Sequence, residues 1–455
     1  MGVEETKKLR KITPLELQEK VKEGHLWIIY DGKIIDVTKW SLYHPGGLLP
    51  LKHAAGLDAT AQIRVFHPDY VLDKKLGSFI IGELSVDGGD ELVQDSGIVD
   101  PKFISQAQRQ IIRSKYMSLQ DEIEKEGLEI TNPIFYFKIY FRLIFMFLTV
   151  WTLILYDSEK YWFVASLLLA AFWHQAAFIG HDTGHSAVTH DLATDHNIGI
   201  TIANFFGGLS LGWWKDSHYV HHVITNDPHH DPDIQHLPFF AVSEKFFSNL
   251  YSSYHDRIMK FDEFAKYFIS LQHYLYYVVL CFGRFNLYAQ SLIYLCKKAN
   301  IRNKWLEVVG LCFFWSWYAY LMSYMPTVLA GFLFTFISNA MTVFLHIQIT
   351  LSHFAMSTEE VKENEEFMAH QLRTTMDIDS PRYMDWFHGG LQFQAIHHLF
   401  PRVPRHNLRL VRTKVIKACK EIDLPYVCFG FVEANFVVIR SLRKVAEATA
   451  SSLLL

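Results

Sequence analysis

Two stretches of this chain run the length of a membrane-crossing helix without a single Asp, Glu, Lys or Arg: residues 161–180 and 327–349. About 20 apolar residues in a helix span roughly 30 Å, the thickness of bilayer hydrocarbon. In hydrocarbon each backbone polar group must find its partner inside the protein, so such a run is read as a helix. Residues 143–156 are equally free of charge and, with residues 137–140, approach spanning length; residues 305–325 hold one charge, Glu307. Four transmembrane helices are therefore expected. The first two are parted by a short acidic turn (157–160) and the last two by Pro326, which predicts two tight helical hairpins. Basic residues crowd the outside of the hairpins and nearly vanish at their tips, so the positive-inside rule puts both termini and the long loops in the cytoplasm. The Gly-interrupted stretch 198–214 and the stretch 268–292 read as re-entrant or interfacial elements.

Composition agrees with a chain that is part soluble and part membrane. Phe 36, Tyr 22 and Trp 11 are a load suited to aromatic belts at bilayer interfaces. A net charge of -4 is too small to imply a nucleic-acid partner. Cys281, Cys296, Cys312, Cys419 and Cys428 form no CxxC pair and none precedes residue 281, so they read as plain thiols of a reducing compartment. No apolar leader opens the chain, and no secretory signal is expected. The opening Met1-Gly2-Val3-Glu4-Glu5-Thr6 matches an N-myristoylation pattern loosely, with chance the simpler reading.

Residues 8–84 read as a small soluble α+β domain. Thr13-Pro14-Leu15-Glu16 is a helix start, and Asp31-Gly32 between two apolar runs is a hairpin turn signal. Residues 85–100 are acidic and Gly-containing, as in a linker, and 101–130 suggest a surface or interfacial helix. Within the small domain stand His44-Pro45-Gly46-Gly47 and, further on, Val65-Phe66-His67-Pro68. Two histidines on opposing segments can grip a haem iron from both faces, which leaves a one-electron carrier. This pattern resembles the cytochrome-b5-like haem-binding domain. The resemblance implies haem b with His44 and His67 as axial ligands; His53, between them, is not part of the pattern.

Histidine is in excess, with 24 residues. Three clusters lie outside the spans: His181-Asp182-Thr183-Gly184-His185, His218-Tyr219-Val220-His221-His222, and Gln394-Ala395-Ile396-His397-His398. On a helix, residues three or four apart share a face. His181 and His185 can thus reach one metal, while His221 and His222 diverge and can serve two. His181, His185, His218, His221, His222, His397 and His398 supply more imidazoles than one metal accepts. Two metals are implied. Imidazole suits zinc, copper, nickel and iron, but a one-electron donor is of no use to zinc, so iron is the reading. His353, just past the last span, is an expected additional ligand. Gln394 either ligates or hydrogen-bonds a ligand or a bound water. His174 and His346 read as buried helix-interface residues, and His190, His196, His229, His230 and His236 as loop residues without a ligand role.

In this order, behind a cytochrome-b5-like domain, the three boxes resemble those of the front-end membrane desaturases, of which Gln394 is the specific mark. Several stretches, among them GWWK (212–215), NDPHHDPDIQHLPFFAVS (226–243), WFHGG (386–390) and QAIHHLFPRVPRHNLR (394–409), are similar to fungal Δ8 sphingolipid desaturases. The resemblance implies an all-α membrane di-iron domain over 101–435, with a cytoplasmic cap. It implies O2-dependent Δ8 desaturation of the sphingoid base of a ceramide or glucosylceramide, with no catalytic side chain beyond the metal ligands. Electrons would come from an NADH–cytochrome b5 reductase through the fused haem domain. The expected location is the endoplasmic reticulum. A Δ5 or Δ6 acyl desaturase and a lipid hydroxylase remain alternatives. Trp213, Trp214, Trp386 and Phe387 are read as tunnel or interface residues, and Arg402, Arg405 and Arg409 as facing headgroups or the haem domain.

Overall fold

The computed structural model describes residues 9–85, 105–298, 301–361 and 365–453. The myristoylation pattern and nearly all of the expected linker lie outside the described residues. The chain forms two compact units, Met1–Ser118 with Lys362–Ala369, and Leu119–Val361 with His370–Leu455.

The first unit holds a four-stranded sheet in the order β1 (Lys11–Ile12), β4 (Ile80–Leu84), β3 (Lys33–Asp36), β2 (Trp27–Tyr30). Thr13 caps the helix Pro14–Lys22 through its side chain, with Pro14 in the first turn. The β2–β3 turn at Asp31-Gly32 has positive φ at both residues (51° and 69°), as a type I′ turn requires. Ile28, Ile35 and Val37 close a small core against Trp40, Leu51 and Phe79.

The second unit is mostly helical. Three elements are long and apolar enough to cross a membrane: Pro133–Gly184, Lys304–Met322 and Val328–Leu351; the bent pair Gln272–Leu280 and Gly283–Lys297, with 67° between its halves, would make a fourth. The first element is doubled back on itself. The Tyr136 hydroxyl donates to Asp182 Oδ2 at 2.8 Å, Arg142 donates to Gln175 Oε1 at 2.6 Å, and Phe147 packs on Phe172 at 5.4 Å. Residues 46 apart on one straight helix would be separated by about 69 Å at 1.5 Å per residue. The reversal sits at Asp157, whose backbone is extended (φ -162°, ψ 88°) and whose side chain accepts from Lys160 N at 3.1 Å. The acidic turn read from sequence is thus the N-cap of the return helix. Phe137, Phe141 and Phe145, four residues apart, form an exposed stripe, while Tyr136, Ile139 and Leu143 on the other side are buried. Helices Lys304–Met322 and Val328–Ala340 make the second hairpin, tied by Tyr318 to Ser338 at 3.4 Å, with Thr327 capping the return helix.

The Gly-interrupted stretch becomes a short π-helix, Thr201–Phe206, that stops inside the helical layer. A helix end away from water leaves carbonyls without partners. Three helices supply donors: Trp317 Nε1 to Phe205 O at 2.9 Å, Trp173 Nε1 to Phe206 O at 2.9 Å, and Arg284 Nη2 to Gly207 O at 2.5 Å. Gly208 (φ +71°) then turns the chain where any Cβ would lie 2.4 Å from Phe314. Arg284 lies 4.1 Å over the Trp173 ring. Arg284→Met is expected to strand the Gly207 carbonyl at a cost of about 1–3 kcal/mol. The thermal midpoint of the detergent-solubilised protein should fall; an unchanged midpoint would show that this cap carries no stability.

Candidate metal centre

The three histidine boxes lie on three separate elements of the second unit. His181 ends the return leg of the first hairpin and His185 is its C-cap. His218, His221 and His222 lie on helix Leu211–Val223, and His397 and His398 on helix Gln394–Leu399. His353 follows helix Val343–Leu351 by two residues. Tertiary folding gathers them into two groups. His181, His185, His218 and His397 form one, and His221, His353 and His398 the other; in each, one ring nitrogen per residue lies within 4.8 Å of the others. His222 sits between them, with rings 4.6 Å from His185, 4.9 Å from His397 and 4.1 Å from His398. Both hairpins therefore open toward the same face.

The nitrogens fit a metal pair. His181 Nε2, both nitrogens of His185, His353 Nδ1, His397 Nε2 and His398 Nε2 are buried without a hydrogen bond. Such groups are costly unless something coordinates them. Burial drives the pKa of His185, His353, His397 and His398 well below the usual histidine value, and that of His218 to about 3. The rings are thus neutral, as ligation requires. His221 departs from this: burial pushes it down, but the carboxylates of Asp231 and Asp233 outweigh burial and leave it at about 9. Its Nδ1 donates to Asp231 at 2.8 Å, which turns Nε2 toward the group. His398 Nδ1 likewise donates to Gln371 Oε1 at 2.8 Å. A carboxylate or amide behind a ligating imidazole fixes its tautomer and orientation.

Asp231, Asp233 and Gln371 escaped the sequence reading, although the first two lie in the segment 226–243 quoted above. The signal was available: acids within fifteen residues of a histidine box are candidates for its outer layer. Asp377 was also missed. It accepts from Ala395 N at 2.8 Å, at the start of the third box helix, and burial raises its carboxyl to about 6. Gln394 opens that helix, buried, and its amide makes no hydrogen bond among the described residues. Arg402 and Arg405 do not face headgroups: both are buried, and Arg405 Nε lies 3.2 Å from Asp182 Oδ2, bracing the first box. Arg409 pairs with Asp385. Trp214 stacks on His218 at 4.3 Å. His174 and His346 are buried in helices, as expected.

In the first unit, the His44 and His67 rings face each other at 6.0 Å. Two imidazoles, each about 2 Å from a shared metal, have centroids about 6 Å apart. His44 Nδ1 is held by Gly47 O at 2.8 Å and His67 Nδ1 by Ile63 O at 3.0 Å, so Nε2 is the atom each ring would turn to an iron. Burial and the facing ring lower His44 to about 4. These residues fit a haem.

A model of the fatty acid desaturases matches residues 160–430, and one of the cytochrome b5-like heme/steroid binding domains matches residues 13–85. The chain belongs to the fatty acid desaturase family. It is a membrane desaturase with a fused cytochrome b5-like domain. It is 46% identical to a Delta 8-(E)-sphingolipid desaturase of Candida albicans, over 74% of this chain and 59% of that one. It is 39% identical to another of Emericella nidulans, over 95% and 93%. An acyl-lipid (9-3)-desaturase of Borago officinalis is 36% identical over 96% and 93%. The desaturase match covers all three boxes, and the haem-domain match covers both His44 and His67.

Asp231→Asn should weaken hold on non-haem iron by about 10- to 100-fold. Iron per haem after chelator challenge reads this out. Retention equal to the unaltered protein would remove Asp231 from the support of the site.

Proposed function

We propose that this desaturase introduces the Δ8 double bond, in trans geometry, into the sphingoid base of a ceramide or glucosylceramide. Support comes from the two buried imidazole groups together with the fungal relatives, each named a Delta 8-(E)-sphingolipid desaturase. His181, His185, His218 and His397 hold one iron, and His221, His353 and His398 the other. His222 is the eighth imidazole, within reach of either, and the amide of Gln394 is left for an iron or a bound water. His44 and His67 hold haem b. Both hairpins cross the bilayer, giving four spans, and the His-box face is cytoplasmic in the endoplasmic reticulum. There an NADH–cytochrome b5 reductase can reach the haem domain.

The irons, when bound, supply O2 activation and removal of hydrogen from unactivated methylenes. The chain supplies placement and electrons. Two hydrogens leave adjacent methylenes, two electrons arrive singly through the haem domain with two protons from solvent, and O2 ends as two waters. Trp214 shields one face of His218. Positioning of one carbon pair accounts for the regiochemistry.

Expression in a cell lacking endogenous Δ8 sphingolipid desaturation should yield sphingoid bases two mass units lighter. Unaltered sphingoid bases with desaturated acyl chains would instead make the enzyme an acyl desaturase, and a gain of sixteen mass units a hydroxylase. His44→Ala should abolish product in a strain without free cytochrome b5. Full activity of that variant would remove the fused domain from the electron path.

A further inference from the structure

The only charge inside the third apolar stretch, Glu307, is fully buried near the start of helix Lys304–Met322. An ionisable group at such a place is expensive and calls for a role. Its carboxylate points at another helix. Oε1 accepts from Gly212 N at 3.2 Å, and Oε2 accepts from Ser210 Oγ at 2.5 Å and from Asn204 Nδ2 at 3.2 Å. Gly212 is in the first turn of helix Leu211–Val223, which carries His218, His221 and His222.

The amides of that first turn need acceptors, and little water reaches them. Each has its own. Leu211 N donates to Asn204 Oδ1 at 3.2 Å, Gly212 N to Glu307, and Trp213 N to Ser210 Oγ at 3.0 Å. Glu307 also fixes the two other acceptors, since both Asn204 and Ser210 donate to it. The approach is close enough that a Cβ on Gly212 would lie 2.4 Å from Glu307 Oε1. Further along, Trp214 stacks on His218 and fills the place where a Cβ on Gly184, in the first box, would lie 2.0 Å from its ring. A helix anchored at Gly212 and wedged at Trp214 within its first turn is held in axial register. Metal ligation tolerates displacements of only about 0.2 Å.

We propose that Glu307 is a positioning residue for desaturation: from a hydrophobic helix it caps the second-box helix and sets the axial register of His218, His221 and His222. This rests on the di-iron reading above. The test uses the full-length protein in detergent. Two readouts are followed: hydrogen exchange of the amides at 211–214, and release of non-haem iron to a chelator, normalised to haem.

Glu307→Gln should keep wild-type haem content. It should raise exchange on the order of tenfold at 212–214 and speed iron release about 10- to 100-fold. Gly212→Ala, which keeps Glu307 but whose added Cβ forces the carboxylate off the helix start, should behave alike and stands in if Glu307→Gln does not fold. Adding Ser210→Asp to Glu307→Gln supplies a carboxylate at the N-cap and should restore both readouts. Unchanged exchange in Glu307→Gln and Gly212→Ala overturns the proposal, as does loss of iron that Ser210→Asp fails to restore. If the unaltered protein holds no non-haem iron, the di-iron reading fails, while the exchange measurements still decide whether Glu307 caps the helix.

Discussion

The second unit is arranged around a set of buried imidazole nitrogens that lack hydrogen-bond partners and would be satisfied by coordination. His185 has both ring nitrogens buried and unpaired, and four further box or near-box rings have one each. In a protein without bound metal these groups would make the interior costly, since no protein group partners them. The histidines also face one another closely, with His222 and His398 stacked at 4.1 Å and His181 and His397 at 4.4 Å. Protonating them would place like charges in contact. Burial holds the pKa of His185, His222, His353, His397 and His398 well below the usual histidine value, which suits those rings to ligation.

Holding that arrangement requires elements that do not move relative to each other. The first hairpin brings His181 and His185 to its open end because Asp157 reverses the chain. The second hairpin returns to the same face and delivers His353. Between them the π-helix Thr201–Phe206 ends within the helical layer, its carbonyls capped by Trp317, Trp173 and Arg284. The next helix begins from this fixed point and carries the second box. Carboxylates and amides from elsewhere complete the frame: Asp231 behind His221, Gln371 behind His398, Asp377 at the head of the third box helix, and Arg405 on Asp182. Regiochemistry in a desaturase is a matter of which carbon pair rests beside the metals, and a rigid frame is what turns binding into selection.

The haem unit works by the same logic on a smaller scale. Backbone carbonyls of Gly47 and Ile63 orient the two rings, and the tight turn at Gly47 (φ +82°) brings its carbonyl back to His44. Joining a one-electron carrier to an oxygen-activating enzyme in one chain raises its effective concentration beyond what a free carrier reaches.

Residue by residue, the linear sequence carried the candidate ligand types and the helical spacing that pairs them. His181 and His185, or His218 and His222, share a face because of the α-helical repeat, and that is a local property. The same holds for the hairpin tips, for the Asp31-Gly32 turn, and for the helix cap at Thr13. Apolar length showed which segments suit a bilayer, because hydrocarbon imposes one solution on the backbone. Which imidazole joins which group was not local. His218 and His221, three residues apart, belong to different groups, and His353 joins His221 and His398 from distant parts of the chain. Nor could spacing show that Arg405 turns inward to Asp182. Those facts depend on contacts between segments tens to hundreds of residues apart, which only packing of the whole chain decides.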